Sequence, residues 1–324
     1  MEKGVVCVTG GTGYVASWLI MRLLQHGYAV NTTVRFHPDK KKDLSYLTNL
    51  PGASERLRIF NADLNRPESF NESIQGCFGV FHAAHNIDFE GKDDEETNTK
   101  RSINATLSIL QACVDSKTVR RVVYTASLAA LSFSGKNLDV VDETTWTDVD
   151  FLRSLKIYGE PYYIAKTLTE RAALQFAETH DLELITVIPT FIHGSFITPH
   201  CPGSVSSSMS VIFGDELPFE FPACIPFVHT DDVASAHIFL LENPSARGRY
   251  ICSAVDVTLD ELNRFLSERY AAYNVSSTSF QKNEHSKISR VSSKKLLDAG
   301  FKYKYGLEQM YDDAIECCKQ KGLL

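Results

Sequence analysis

Val5-Val6-Cys7-Val8-Thr9-Gly10-Gly11-Thr12-Gly13-Tyr14-Val15-Ala16 decides the fold of this chain. A short apolar run ends in a glycine turn. The turn opens into a segment whose apolar residues (Val15, Trp18, Leu19, Leu23) recur at helical spacing as far as His26. Gly27 stands where a left-handed residue closes such a helix. Read from Gly11 the turn is G-x-G-x-x-A, and read from Gly10 it is G-x-x-G-x-x-A. Glycines let the backbone approach a pyrophosphate, the helix start offers free N–H groups and a positive partial charge, and Ala16 allows close helix–sheet contact. A glycine pattern alone is a weak signal; strand before and helix after make it a strong one. Gly10, Thr12, Gly13, Tyr14 and Val15 are the expected contacts of a dinucleotide.

Outward from this turn, short apolar runs at 29–34, 57–60, 79–82, 121–125 and 184–188 alternate with helical segments, the clearest at 97–116 with Ile103, Leu107, Leu110 and Val114 on one stripe. Such alternation predicts an α/β fold: a Rossmann-type, doubly wound parallel sheet covered on both faces. After residue 188 the pattern changes. Residues 189–227 are rich in Pro, Ser, Gly and Phe, and further helices are expected near 259–270 and 307–321. The expected division is a nucleotide-binding domain at 1–189, with 228–250 returning to it, and a smaller α/β substrate lobe made of 190–227 and 251–324. Phe191, Phe196, Phe213, Phe219, Phe221 and Phe227 fall in or beside that lobe, most as core and some as walls of an aromatic pocket.

The 324 residues are long enough to bury a large core without disulfide or metal. With 33 basic and 40 acidic side chains the net charge is −7, which argues against nucleic acid or an anionic membrane as partner. No run reaches the roughly 18 apolar residues of a membrane span. The apolar run before Gly10 is too short for a signal-peptide core. Eight scattered cysteines, with Cys317 and Cys318 adjacent, show no metal-ligand spacing and read as reduced thiols. The expectation is a cytoplasmic protein with no metal and no membrane insertion.

The end of the second strand selects the cofactor. An NAD site places a carboxylate there for the ribose hydroxyls. This chain has Thr32-Thr33-Val34-Arg35 and then Lys40-Lys41-Lys42. A guanidinium with lysines suits a 2′-phosphate, so NADPH/NADP+ is the expected cofactor. Asp63-Leu64 closes the third strand, with Asp63 either accepting from an adenine amino group or serving as a turn residue.

Tyr162-Tyr163-Ile164-Ala165-Lys166 contains the chain's single Y-x-x-x-K, which puts both side chains on one helix face. It follows Ser127, a hydroxyl at the end of a buried strand, where ligands of such sheets sit. Hydride delivery to a carbonyl builds charge on oxygen. Ser127 can hydrogen-bond that oxygen and Tyr162 can protonate it. A phenol near pKa 10 is a poor partner at neutral pH, and the Lys166 cation, with the positive charge of the oxidised nicotinamide, is expected to lower it.

These residues together, with stretches 9–18, 32–35, 80–89, 189–194, 228–233 and 296–322, resemble the extended short-chain dehydrogenases/reductases of the plant dihydroflavonol-reductase-like group over essentially the full length. The resemblance implies catalytic roles for Ser127, Tyr162 and Lys166. It also implies cofactor contacts at Arg35, Lys42, Asp63, Leu64, Ala83, Ala84, His85, Tyr162, Lys166, Pro189, Ile192 and Ser204. Its members have Thr or Ser, then Pro, where this chain has His85-Asn86, and Ala126 replaces a usual Ser. An Asn near the substrate is replaced by Ser132, which argues against a dihydroflavonol as substrate. His85 and Ser132 are the candidate substrate contacts. The expected activity is NADPH-dependent reduction of a ketone or aldehyde on a flavonoid-like or alkaloid small molecule, by a monomer or weak homodimer. Alternatives are the reverse oxidation of an alcohol or hemiacetal and a non-catalytic NADP-sensing protein.

Overall fold

The computed structural model describes residues 3–36, 42–85, 94–215, 221–273, 275, 280 and 290–324. Lys40, Lys41, Asn86 and Phe219 therefore lie outside the described residues. Twelve strands occur in chain order among those residues. They are β1 (Val5–Thr9), β2 (Ala29–Val34), β3 (Leu57–Asn61), β4 (Gly79–His82), β5 (Arg121–Thr125), β6 (Val140–Val141), β7 (Glu183–Pro189), β8 (Phe191–His193), β9 (Cys224–His229), β10 (Gly248–Cys252), β11 (Val255–Thr258) and β12 (Arg290–Val291). The long helices are α1 (Tyr14–Gln25), α2 (Glu95–Ser116), α3 (Glu160–Thr179), α4 (Thr230–Glu242), α5 (Leu259–Arg269) and α6 (Leu307–Gln320).

Seven strands form one sheet in the order β10-β7-β5-β4-β1-β2-β3, and every neighbouring pair in it is parallel. The chain winds outward from β1 in both directions, so the strand order reverses between β1 and β4. A crevice opens there at the strand carboxyl ends. Side chains alternate across the sheet and sort its two faces. Val6, Val8, Phe81 and Val123 pack with Leu19, Ile20 and Leu23 of α1 and Val233, Ala236 and Leu240 of α4. Cys7, Val80, Val122 and Tyr124 pack on the other side with Ile109 and Leu110 of α2 and Ala173 and Ala177 of α3. The expected doubly wound parallel sheet is the fold observed.

α1 begins one residue before the expected start, and Gly27 at φ +85° closes it as expected. α2 begins two residues earlier than the periodicity places it, because Asp94 caps it by accepting the Thr97 N–H. α5 starts at a capping box between Thr258 and Glu261. β10 belongs to the seven-stranded sheet and α4 packs on it, while residues of 196–227, 257–280 and 310–318 build a second core; contrary to the expected lobe of 251–324, Leu296 and Phe301 are buried in the first core. The second unit centres on the mixed sheet β11-β9-β8. Residues 190–227 also contain a short helix, Gly203–Ser208, too brief for periodicity to show. Phe196, Phe221 and Phe227 are buried in the second core, with Phe191 and Phe213 packed against it, so these rings serve as core. No helix among the described residues is long and apolar enough to cross a membrane.

Candidate active site

At the crevice, Gly10 takes φ +74°, a conformation that disfavours side chains. A Cβ there would lie 2.9 Å from the Ala84 Cα, so the loop after β4 can come this close only to glycine. Thr33 on β2 holds the turn from its other side: the Gly10 N–H donates to Thr33 Oγ1 (3.0 Å) and the Gly11 N–H to the Thr33 carbonyl (2.8 Å). A Cβ on Gly11 would sit 2.2 Å from Thr32 Oγ1. Gly13 then caps α1 without a side-chain hydrogen bond, and no acidic residue occupies the first turn. The leading N–H groups of α1 and the positive end of its dipole thus face the crevice, a fit for a pyrophosphate.

Cations gather beside it. Lys42 Nζ donates to Thr12 Oγ1 at 3.1 Å. Partial burial, and then the nearby Arg35 guanidinium, lower the proton affinity of Lys42. Arg35 directly follows β2 and is exposed. Asp63 forms a turn: one carboxylate oxygen accepts the Asn65 N–H (3.0 Å), and its own N–H donates to Ser69 Oγ (2.9 Å). Leu64, Ala84 and His85 line a small cavity together with Arg101, Ser102, Ala105 and Thr106.

Beneath the turn runs a buried polar relay that the sequence did not reveal. Thr9 Oγ1 accepts the N–H groups of Ala83 (3.1 Å) and Ala84 (3.0 Å). Both lone pairs are then used, so the hydroxyl proton points at His82 Nδ1, 2.9 Å away. His82 is therefore the Nε2–H tautomer and donates to Thr106 Oγ1 at 3.2 Å. Burial first, and the Lys166 charge second, push its pKa down to about 3, which keeps it neutral. The relay fixes the Ala83–Ala84 backbone against the glycine turn.

The hydroxyl pair stands at the carboxyl end of β5. Ser127 caps a short 3-10 turn by accepting the Ala129 N–H (3.2 Å), and its Oγ lies 3.3 Å from Tyr162 Oη. Pro161 starts α3 within its first turn and Gly159 precedes it, so Tyr162 enters the site at the helix beginning. Lys166, one turn on, is 6% exposed and its Nζ donates to the Thr125 carbonyl at 3.4 Å. Burial pulls the Lys166 ammonium down to about 8, while Glu170 opposes the fall. Burial raises the Tyr162 phenol above its ordinary range, the Ser127 hydrogen bond only partly offsets this, and Lys166 is not what sets its direction.

The remaining expected residues are dispersed around this centre. The His85 ring meets the Tyr162 ring edge-on at 6.0 Å, and its Nε2 is buried without a hydrogen-bond partner among the described residues. Burial, Lys166 and His82 hold it well below 6.5, so it is a neutral imidazole. Ser132 is exposed and its hydroxyl donates to the Leu128 carbonyl at 2.9 Å. Pro189 ends β7. Ile192 lies in β8, and its carbonyl accepts Ser204 Oγ at 2.7 Å. Tyr14 Oη donates to the Gly194 carbonyl at 3.2 Å, tying the glycine turn to the loop after β8. Val15 packs against the core of the α1 face. Sequence reasoning also missed Glu170, although its position four residues after Lys166 was a readable signal.

Residues 6–252 match the NAD dependent epimerase/dehydratase family. The chain is 48% identical over 323 residues to vestitone reductase of Medicago sativa, covering 99% of each chain. The crystal structure of that alfalfa enzyme matches this fold with a TM-score of 0.88 at 46% identity, over 99% of this chain and 100% of the other. Noscapine synthase SDR1 of Papaver somniferum is 47% identical, over 99% of this chain and 94% of its own length. Dihydroflavonol 4-reductase of Arabidopsis thaliana is 44% identical, over 100% of this chain and 84% of its own.

Proposed function

The chain belongs to the NAD dependent epimerase/dehydratase family, as an extended short-chain dehydrogenase/reductase of the plant dihydroflavonol-reductase-like group, and on that footing we propose that it is an NADPH-dependent reductase of a ketone or aldehyde on a bulky, apolar plant metabolite of flavonoid, isoflavonoid or alkaloid type. The observation that carries this reading is the 3.3 Å contact between Ser127 Oγ and Tyr162 Oη, one helical turn from Lys166 and at the same end of the sheet as the glycine turn. The reading includes a small-molecule substrate, a cytoplasmic location and a monomer or weak homodimer. Residues 1–189 with 228–250 form its cofactor domain, and 190–227 with most of 251–324 its substrate lobe.

The residues fit the cofactor. The uncapped start of α1 at Gly13, with Tyr14 and Val15, takes the pyrophosphate. Arg35 and Lys42 hold the 2′-phosphate, Asp63 and Leu64 the adenine side, and Ala83–His85, Pro189, Ile192 and Ser204 the nicotinamide side. Bound there, the reduced nicotinamide supplies a hydride to the carbonyl carbon. Ser127 donates a hydrogen bond to the carbonyl oxygen as negative charge develops on it. Tyr162 passes its phenolic proton to the same oxygen, and the Lys166 ammonium stabilises the phenolate left behind. His85 and Ser132 are the substrate-facing candidates.

A second reading runs the same residues towards oxidation of an alcohol or hemiacetal, and the likeness to noscapine synthase favours it over a non-catalytic role. The test is a panel of isoflavanones, dihydroflavonols, alkaloid carbonyls and simple aldehydes with NADPH, run alongside the corresponding alcohols with NADP+. Turnover of one carbonyl class is the expected result. Oxidation without any reduction supports the second reading. Co-purified nucleotide sugar with neither activity overturns both.

A further inference from the structure

Tyr162, Lys166 and Glu170 occupy successive turns of α3. At i, i+4 and i+8 they share one helix face. Glu170 is 0% exposed. Its carboxylate accepts Thr186 Oγ1 of β7 at 2.8 Å and two donors of Arg249 on β10, Nε at 2.9 Å and Nη2 at 3.2 Å. Arg249 is clamped in turn: Nη1 donates to the carbonyls of Glu143 (2.6 Å) and Thr145 (2.8 Å), and the guanidinium lies 3.6 Å from the Trp146 ring centroid. The pair joins residues 79 positions apart and crosses from the reaction-centre helix to the edge strand of the sheet.

A buried ion pair is weak evidence for stability, because apolar replacements often hold a fold as well. What this pair adjoins is more telling. Among the described residues the groups facing Lys166 are His82 on β4, His85 after it, Tyr124 on β5, and Tyr162 and Glu170 on α3. Both histidines are neutral. The Tyr124 ring lies 5.8 Å from Lys166 Nζ, and its phenol is held protonated by burial. Glu170 is the one anion of this set.

We propose that Glu170, clamped by Arg249 and Thr186, is a positioning residue of the reaction centre whose carboxylate keeps the neighbouring Lys166 ammonium protonated through the working pH range. Arg249 engages both carboxylate oxygens, and this bidentate geometry with the Thr186 hydrogen bond fixes the orientation of the carboxylate. Its catalytic consequence rests on the reductase reading; its electrostatic content does not.

At an i, i+4 separation of about 6 Å and an effective dielectric constant of about 20, one charge moves its neighbour's pKa by roughly two units, of which the opposed Arg249 cancels about half. Glu170→Gln, which leaves Arg249 in place, is therefore expected to lower the Lys166 midpoint by about two units, and removal of both partners by about one. From a midpoint of about 8, kcat/KM for carbonyl reduction then falls ~10-fold more at pH 7.5 than at pH 6 in Glu170→Gln, and ~3-fold more when Arg249→Gln is added. Glu170→Asp, which keeps the charge, restores the profile. Glu170→Gln combined with Arg249→Gln leaves no unpaired guanidinium, so it guards against simple misfolding, and it retains the shifted limb. The second readout is the Lys166 ammonium itself, titrated by NMR in 15N-lysine-labelled protein and assigned with Lys166→Met. A midpoint that moves down in Glu170→Gln supports the proposal. An unmoved midpoint, or a loss of rate equal at all pH values, overturns it. If the wild-type protein reduces no carbonyl, the reductase reading fails while the NMR titration still decides this one.

Discussion

On the proposed reading cofactor choice turns on Arg35, and Arg35→Asp puts a number on it. The guanidinium is exposed just beyond β2, close enough to Lys42 to lower that lysine's proton affinity, and Lys42 is itself bound to Thr12. A charge-assisted hydrogen bond to phosphate is worth about 1.5–3 kcal/mol, and exposure puts Arg35 at the lower end, near ~1.5 kcal/mol. A carboxylate in its place adds repulsion: at about 5 Å from a dianionic phosphate in a water-like dielectric this is a further ~1.5 kcal/mol. Their sum, ~3 kcal/mol, corresponds to a rise of roughly 150-fold in KM for NADPH. NADH has no 2′-phosphate, so its KM should stay within about twofold. Lys42 remains, so NADPH binding is weakened and not abolished. Steady-state KM for both cofactors, with fluorescence-detected Kd for NADPH, measures the effect. The NADPH penalty should also shrink in high salt, because the site is exposed. Equal penalties for NADPH and NADH, or an NADPH penalty independent of salt, would refute the assignment of Arg35 to the 2′-phosphate.

Tyr162→Phe removes the proton donor and should lower kcat by about 10²–10⁴, while the NADPH Kd read by fluorescence stays near wild type. Ser127→Ala removes a hydrogen bond made mainly to developing charge, with an expected loss of about 10²–10³ in kcat; a loss confined to KM would argue against that role. Lys166 makes a stability prediction. Its folded pKa of about 8 lies below the ordinary 10.5, so the unfolded chain binds more protons between those values and stability rises with pH through that window. Lys166→Met should therefore be more stable than wild type at pH 7, by up to ~3 kcal/mol, with the advantage gone above pH 10.5; urea unfolding at the two pH values tests this. His85→Ala tests the unpartnered imbalance at Nε2: an altered substrate KM with kcat retained marks a substrate ligand, and unchanged kinetics on the true substrate mark a loop histidine.

What the sequence made legible was local and periodic. The glycine turn was readable because the strand and helix that give it meaning are its immediate neighbours. The doubly wound sheet followed from alternation of strand and helix patterns, and Tyr162 and Lys166 from a four-residue spacing. What stayed hidden depends on contacts far apart in the chain. Nothing near Gly10 announces that Thr33 holds it or that the Ala84 backbone crowds it. The His82 tautomer follows only once Thr9 is seen to accept two backbone N–H groups. The lobe phenylalanines are compatible by composition with pocket or core, and only packing shows Phe227 at 0% exposure. The desolvation of the Tyr162 phenol stayed hidden for the same reason. A motif displays the neighbouring cation but not the desolvation, which is the larger effect here.

The burial of Tyr162 bears on direction. A phenol raised by burial is a weak acid, yet it stays protonated across the whole physiological range, so it is loaded for reduction before substrate arrives. Oxidation needs the opposite starting state, a phenolate that can accept a proton. Burial penalises that state, and the cation that would stabilise it is itself partly neutral near pH 8. On the proposed reading, reduction is therefore fastest where Lys166 is charged and falls as pH rises through its midpoint. Oxidation gains from phenolate as pH rises and loses from Lys166 neutralisation over the same range, so its optimum must lie higher than that of reduction. The two limbs share one lysine, and the side chain placed to move both is Glu170. On that reading the buried ion pair at the edge of the sheet and the direction of the chemistry at its crevice are coupled through a single helix face.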